Sequence, residues 1–268
     1  MRRKIEAFLT LETLKHLCYI PTIILKFRNW LSFLMTYVGI KNDNYFMLRN
    51  GIKIKTREGA DSQTIAVIFV KKEYGEIKDN SVVIDIGANI GVYSVFAASG
   101  SKNTVIYAYE PMVGSYNQLL ENININKLEN RITPFNLGVA AEKGVRTLNL
   151  AETSPFNSMY GLRTEKSVEI NCVTLKDIFD ENRIAECDIL KIDCEGAEFE
   201  ILYNTPEKVL KKIKEIRLEY HNIDAQGKYN IKSLADFLES NGFKPIKLTN
   251  ISSPSHIAWF KRADLINH

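Results

Sequence analysis

Two groups of acidic side chains in this sequence stand where catalytic or binding chemistry would need them. The first begins in Val82-Val-Ile-Asp85-Ile-Gly87-Ala88-Asn89-Ile-Gly91, an apolar run, a carboxylate and a glycine-bearing turn. Gly87 supplies the tight turn, and Gly91 a close approach of helix to sheet. Glu110 ends the next apolar run, 25 residues after Asp85; a carboxylate there accepts the hydroxyls of a ribose. The second group is Asp193 and Glu195, after Leu190-Lys-Ile192, with Glu219 and His221 after the apolar run that follows. Residues two apart on an extended segment share a face, so Glu219 and His221 are expected to point together toward Asp193 or Glu195. A carboxylate–histidine cluster works either as a general base with its orienting group or as a cation site that lowers an acceptor pKa. The base reading is adopted, with Asp193, Glu195 and His221 as candidates and no residue assigned to a metal. Each has a plainer alternative. Glu195 before Gly196-Ala197 suits a helix N-terminus, and His221 suits a structural histidine at a strand end.

The turn and Glu110 together ask for an adenosine cofactor, either a dinucleotide or S-adenosylmethionine. Asn89 replaces the middle glycine of G-x-G-x-x-G, the residue that lets backbone approach a pyrophosphate. Asp85 would repel a pyrophosphate but suits a ligand bearing an ammonium and a sulfonium. S-adenosylmethionine is therefore the expected cofactor. A nucleotide-dependent oxidoreductase is the alternative. The structural alternative is that Asp85 caps a helix and Glu110 is a solvated strand end.

These residues need a scaffold, and the chain alternates short apolar runs with helical stretches. Strands are expected at Ser81–Ile86, Thr104–Tyr109, Ile132–Leu137, Asp188–Ile192, Glu215–Glu219 and Lys244–Leu248. Helices are expected at Gly91–Ala98, Ser115–Asn126, Leu175–Asp180, Ala197–Tyr203 and Ile231–Asn241. Such alternation predicts an α/β fold, a mostly parallel Rossmann-like sheet with helices on both faces. Val145–Ala151 and Val168–Val173 read as an inserted hairpin around a polar loop containing Ser154, Asn157 and Ser158, groups able to bond a polyol. His256–Lys261 follows Lys244–Leu248 after seven residues, too few for a parallel crossover, so the C-terminal strand is expected antiparallel. Upstream, Gly51–Thr56 reads as a strand, and a helix capped by Asp61 or Ser62 follows. The expected organisation is an N-terminal helical extension, 1–45, and a catalytic domain, 46–268, with its core at 81–262.

Composition sets limits. The 268 residues are 45% hydrophobic and 25% charged, with 14 Gly and 7 Pro. That excludes collagen-like, disordered and disulfide-scaffold classes. Cys18, Cys172, Cys187 and Cys194 form no zinc-spaced set and suit a reducing, cytoplasmic setting. Net charge is +3, but residues 1–40 carry six basic and two acidic side chains, leaving −1 on the remaining 228. A body without positive charge is not expected to bind nucleic acid, so a nucleic-acid methyltransferase is a further alternative only. The uncharged stretch Asn29–Ile40 is 12 residues, short of the ~20 needed to span a bilayer. Residues 1–40 are read as helices packed on the domain or on a homodimer partner, or as a basic amphipathic contact with the inner face of a membrane.

Asp85-Ile-Gly-Ala-Asn-Ile-Gly91, Tyr109-Glu-Pro111, Leu120-Glu-Asn122…Asn126-Lys-Leu128 and Leu190-Lys-Ile-Asp-Cys-Glu-Gly-Ala-Glu198 closely resemble the FkbM family. These are class I S-adenosylmethionine-dependent methyltransferases, and the resemblance runs from about Gly51 to His221. It implies that Gly87, Ala88, Asn89 and Gly91 cradle the methionine part, with Asp85 contacting it directly or through water. It also implies that Glu110 takes the ribose hydroxyls, Pro111 flanks the adenine, and Asn136 to Val139 line its far side. The implied activity is O-methyl transfer to a hydroxyl of a sugar, glycan intermediate or natural product.

Overall fold

The computed structural model describes residues 18–149, 167–194, 196–220, 227–248 and 256–266. Glu195, His221 and the polar loop with Ser154, Asn157 and Ser158 lie outside them. The chain divides into two compact units, Met1–Gly75 and Glu76–His268. The first unit thus runs past residue 45, where the sequence reading ended the extension.

In the first unit, α1 (Ile20–Lys26) and α2 (Trp30–Tyr37) precede an antiparallel pair, β1 (Tyr45–Met47) and β2 (Lys53–Lys55). Its core is aromatic: Phe27 stacks on Phe33 at 4.1 Å, and Phe46 meets Phe33 edge-on at 5.2 Å. Helix α3 (Asp61–Ile65) continues as a wider π turn over Ala66–Val70. Asp61 was expected to cap this helix. Its carboxylate instead accepts the Arg57 and Glu58 N–H groups, closing the turn before it. Ser62 donates its hydroxyl to the Gly59 carbonyl.

In the second unit the elements are β3 (Val82–Ile86), α4 (Val92–Gly100), β4 (Val105–Tyr109), α5 (Val113–Asn126) and β5 (Ile132–Phe135). There follow β6 (Gly138–Val139), β7 (Gly144–Asn149), β8 (Ser167–Val173), α6 (Leu175–Glu181) and β9 (Cys187–Ile192). The chain closes with α7 (Glu198–Tyr203), α8 (Glu207–Leu210), β10 (Ile213–Glu219), α9 (Ile231–Ser240), β11 (Phe243–Leu248) and β12 (Ile257–Arg262). Among the described residues the main sheet has the order β11-β12-β10-β9-β3-β4-β5. Strands β10, β9, β3, β4 and β5 run parallel, and β12 and β11 are antiparallel, as the short connection required. The third strand ends at Phe135, earlier than expected. Gly138–Val139 then leave to pair in parallel with β8, in a small sheet that also holds the expected β7–β8 hairpin.

Strands of this kind are buried on both faces and should be uniformly apolar. Ile84, Ile86, Leu190, Ile192, Ile216 and Leu218 obey that rule. One cross-strand row does not. The pairings Asp85↔Lys191, Lys191↔Arg217, Arg217↔Trp259 and Trp259↔Lys247 set charged and aromatic side chains side by side across five strands. Arg217 and Lys247 each stand 4.6 Å from the Trp259 ring. Glu215 pairs with Arg217 at 2.6 Å, on the same strand and face.

Candidate active site

The chain order reverses between β3 and β9, and open α/β sheets bind ligands outside the carboxyl ends at such a point. The turn after β3 is fixed by backbone bonds. The Tyr109 carbonyl accepts the N–H groups of both Gly87 and Ala88, and Gly91 N–H donates to the Ala88 carbonyl. Gly87, Asn89 and Gly91 have φ of 73°, 49° and 83°, the left-handed region. A Cβ on Gly87 would fall 1.7 Å from the Asp193 carbonyl oxygen, so the turn lies directly on the chain leaving β9. On Gly91 it would meet the Leu119 side chain of α5 at 2.3 Å, so the close approach here is to a neighbouring helix, where the sequence suggested helix against sheet.

Glu110 follows β4 and is 6% exposed. Its two oxygens accept the Asn89 and Met112 N–H groups, each at 2.8 Å. Burial pushes this carboxyl up to about 7, outweighing the two backbone donors that favour the anion. Each oxygen keeps a second acceptor position, so the group remains able to take hydroxyl donors. Asn136 ties the next strand end to this corner, its amide donating to the carbonyls of Glu110 and Pro111 at 2.9 Å each. Val139 is placed differently from the expected adenine contact. It is buried in β6 with Val173 in the core, where its side chain packs and faces no open surface.

Asp85 is also placed differently from the expected direct or water-mediated contact with the methionine part. It is completely buried, accepts the Ser94 hydroxyl at 2.6 Å, and faces the Lys191 ammonium at 3.1 Å. Lys191 is the residue that sequence reading missed. Its Nζ lies 3.5 Å from Asp193 and donates to the Gly87 carbonyl at 2.9 Å, while the side chain is only 4% exposed. Burial alone would lower its pKa, but the facing carboxylates of Asp85 and Asp193 outweigh that and hold it protonated. The available signal was a single lysine inside a buried apolar strand, where an unpaired charge is not tolerated. Asn122 of α5 adds a second brace. It is fully buried and donates to the Ile90 carbonyl, bracing the turn from behind.

Asp193, at the end of β9, keeps 27% of its side chain exposed beside this turn. Its N–H donates to the Ile86 carbonyl, which brings the β9 end against the β3 end. Past Cys194, the buried Glu198 carboxylate accepts the Gly196 N–H at 2.7 Å. His256, read from sequence only as the opening of the last strand, stands opposite the end of β10. Tyr220 N–H donates to its carbonyl, and the two rings are 5.4 Å apart. The antiparallel β12 therefore returns a histidine to the end of the sheet that carries Asp193 and Glu110.

Comparison with known proteins identifies the family and the fold. A family model described as the methyltransferase FkbM domain matches residues 85–245. The chain is 25% identical over 180 residues to the 31-O-demethyl-FK506 methyltransferase FkbM of Streptomyces tacrolimicus, covering 56% of this chain and 68% of that protein. It is 23% identical over 148 residues to the hexuronic acid methyltransferase AglP of Haloferax volcanii, covering 54% and 58%. Among solved structures, a methyltransferase FkbM from Methylobacillus flagellatus superposes with a TM-score of 0.50 at 13% identity, over 74% of this chain and 47% of that one. The fold is that of the class I, Rossmann-like methyltransferases. With the matched region running from Asp85 into β11, the chain belongs to the methyltransferase FkbM domain family.

Proposed function

We propose that the chain is an S-adenosylmethionine-dependent O-methyltransferase acting on a hydroxyl of a sugar, glycan intermediate or other small molecule. One observation carries the reading. The Gly87–Gly91 turn, the Glu110 carboxylate and Asp193 meet at the carboxyl ends of the adjacent strands β4, β3 and β9. The groups around that point are mostly acceptors, and its one buried ammonium is neutralised by Asp85 and Asp193. Such a set suits a cofactor rich in donors and disfavours a pyrophosphate. S-adenosylmethionine, when bound, supplies a methyl group already activated by a sulfonium. The chain's part is then alignment and proton removal. Glu110 accepts the ribose hydroxyls, with Pro111 and Asn136 shaping the adenine side. Asp193 is the described residue best placed to accept a hydroxyl proton, with His256 at the same end of the sheet. Glu195 and His221 keep their proposed base roles. Asp85 acts through Lys191 and the Gly87 carbonyl rather than on the ligand.

The relatives' names favour such acceptors, one a 31-O-demethyl natural product and the other a hexuronic acid. Incubation with methyl-labelled S-adenosylmethionine and a panel of uronic acids, sugars and macrocyclic alcohols is expected to place label in a methyl ether. Label in RNA, or binding of NAD without S-adenosylmethionine, would overturn the assignment.

Glu110 gives the cofactor site a pH signature. Its pKa is raised above the ordinary value of 4.5 to about 7. The associated stability is therefore complete below 4.5 and is lost as pH rises through 7. Ribose hydroxyls favour the anion, so binding expels a proton and is tighter when Glu110 is already ionised. Affinity for S-adenosylmethionine is expected to be about tenfold weaker at pH 6 than at pH 8. Calorimetry in two buffers of different ionisation enthalpy should show proton release near pH 6. A pH-independent dissociation constant would remove Glu110 from the ribose.

A further inference from the structure

The first unit carries a basic and apolar corner that methyl transfer does not use. The loop between α1 and α2 lies along the strand that begins at Tyr45. Arg28 N–H donates to the Met47 carbonyl, and Arg49 N–H to the Lys26 carbonyl. The Asn29 side chain holds the Tyr45 carbonyl and the Met47 N–H. The Arg49 guanidinium reaches back to the Ile24 carbonyl. Leu25, Leu31 and Tyr45 stand out of this corner, with 74%, 53% and 39% of their surface exposed. No shortage of core explains this, because Ile23, Phe27, Phe33, Phe46, Leu48 and Ile54 already fill the interior beneath. Arg28 and Arg49 are exposed among them.

Charge follows the same division. Residues 18–75 hold nine basic and four acidic side chains, whereas residues 76–268 hold 22 basic and 26 acidic. Three of the four acids are engaged internally: Asp43 accepts the Ser32 hydroxyl, Asp61 accepts the Arg57 and Glu58 N–H groups, and Glu73 pairs with Lys71 at 3.8 Å. Among the described residues no helix is long and apolar enough to cross a membrane. We propose that this corner docks on the surface of an anionic lipid bilayer. Leu25, Leu31 and Tyr45 enter the headgroup boundary, and Arg28 and Arg49 lie against lipid phosphates. Protruding leucines have no use on a nucleic-acid backbone, and two copies of so cationic a unit would repel each other across a symmetric contact.

The test is co-sedimentation of the full chain with phosphatidylcholine vesicles, with and without about one-third phosphatidylglycerol. Binding is expected only to the anionic vesicles, and it should fall steeply with added salt. Leu25→Asp with Leu31→Asp, and separately Arg28→Glu with Arg49→Glu, should each lower partitioning by about tenfold or more. Both variants should keep the parent's affinity for S-adenosylmethionine and a thermal midpoint close to the parent's, since every altered side chain is exposed and only Arg49 gives up a hydrogen bond, to the Ile24 carbonyl. Equal partitioning of variants and parent would overturn the proposal. So would no vesicle binding by the parent, or retention on RNA with none on vesicles.

Discussion

Lys191→Met is expected to destabilise the protein by about 3–5 kcal/mol and to weaken S-adenosylmethionine binding in whatever fraction stays folded. The substitution keeps most of the side chain's volume and removes only its charge and donors. Asp85, with no exposure, then loses the one ammonium it faces, and the Ser94 hydroxyl alone cannot compensate a buried anion. The Gly87 carbonyl loses its side-chain donor at the same time. Asp85→Asn combined with Lys191→Met should recover part of the stability, because the pair is then removed together rather than split. It should recover less of the binding, because the Gly87 carbonyl stays without its side-chain donor. Urea denaturation and calorimetry on the two single variants and the double variant would measure both effects. A Lys191→Met loss below about 1 kcal/mol would show that the ion pair does not hold the turn.

Gly87→Ala is expected to be comparably severe for a different reason. At φ of 73° an alanine pays the left-handed penalty of roughly 1–2 kcal/mol. Its Cβ would also lie 1.7 Å from the Asp193 carbonyl oxygen and 2.8 Å from its carbon. That neighbour is backbone, and it is held in place by the Asp193 N–H bond to Ile86 and by the β3–β9 register. Relief therefore requires parting two central strands. The expected outcome is a loss above about 3 kcal/mol, or a folded protein that no longer binds the cofactor. Near-parental stability and affinity in Gly87→Ala would contradict the tight contact between the turn and the β9 end.

Much of this framework was legible in the sequence because its signals are local. Val82–Ile86, Val105–Tyr109 and Cys187–Ile192 are apolar runs of strand length, and the gap before the last strand was too short for a crossover. Gly87, Gly91 and Glu110 could be named because turn chemistry and spacing fix their places. Lys191 could not, because its meaning comes from register. It lies 104 residues from the carbonyl it holds, and only pairing of β9 with β3 sets it beside Asp85. The early end of β5 is equally non-local, since the Asn136 amide is drawn to carbonyls 26 and 25 residues away. The place of His256 is not legible locally, because only the antiparallel return of β12 carries it to the functional end. The π turn at Ala66–Val70 left no trace, because a run of apolar, mostly buried residues fits either helical geometry.

The turn after β3 has four of its five amides already committed. Gly87 and Ala88 donate to Tyr109, Asn89 to Glu110, and Gly91 to Ala88, while the Ile90 carbonyl is taken by Asn122. A ligand arriving there meets a wall that has little left to order. Association at this point should therefore surrender little conformational entropy, and this segment should not gate the rate of entry. Discrimination among adenosine ligands then rests on the fit of a rigid surface, a lock cut before the key arrives.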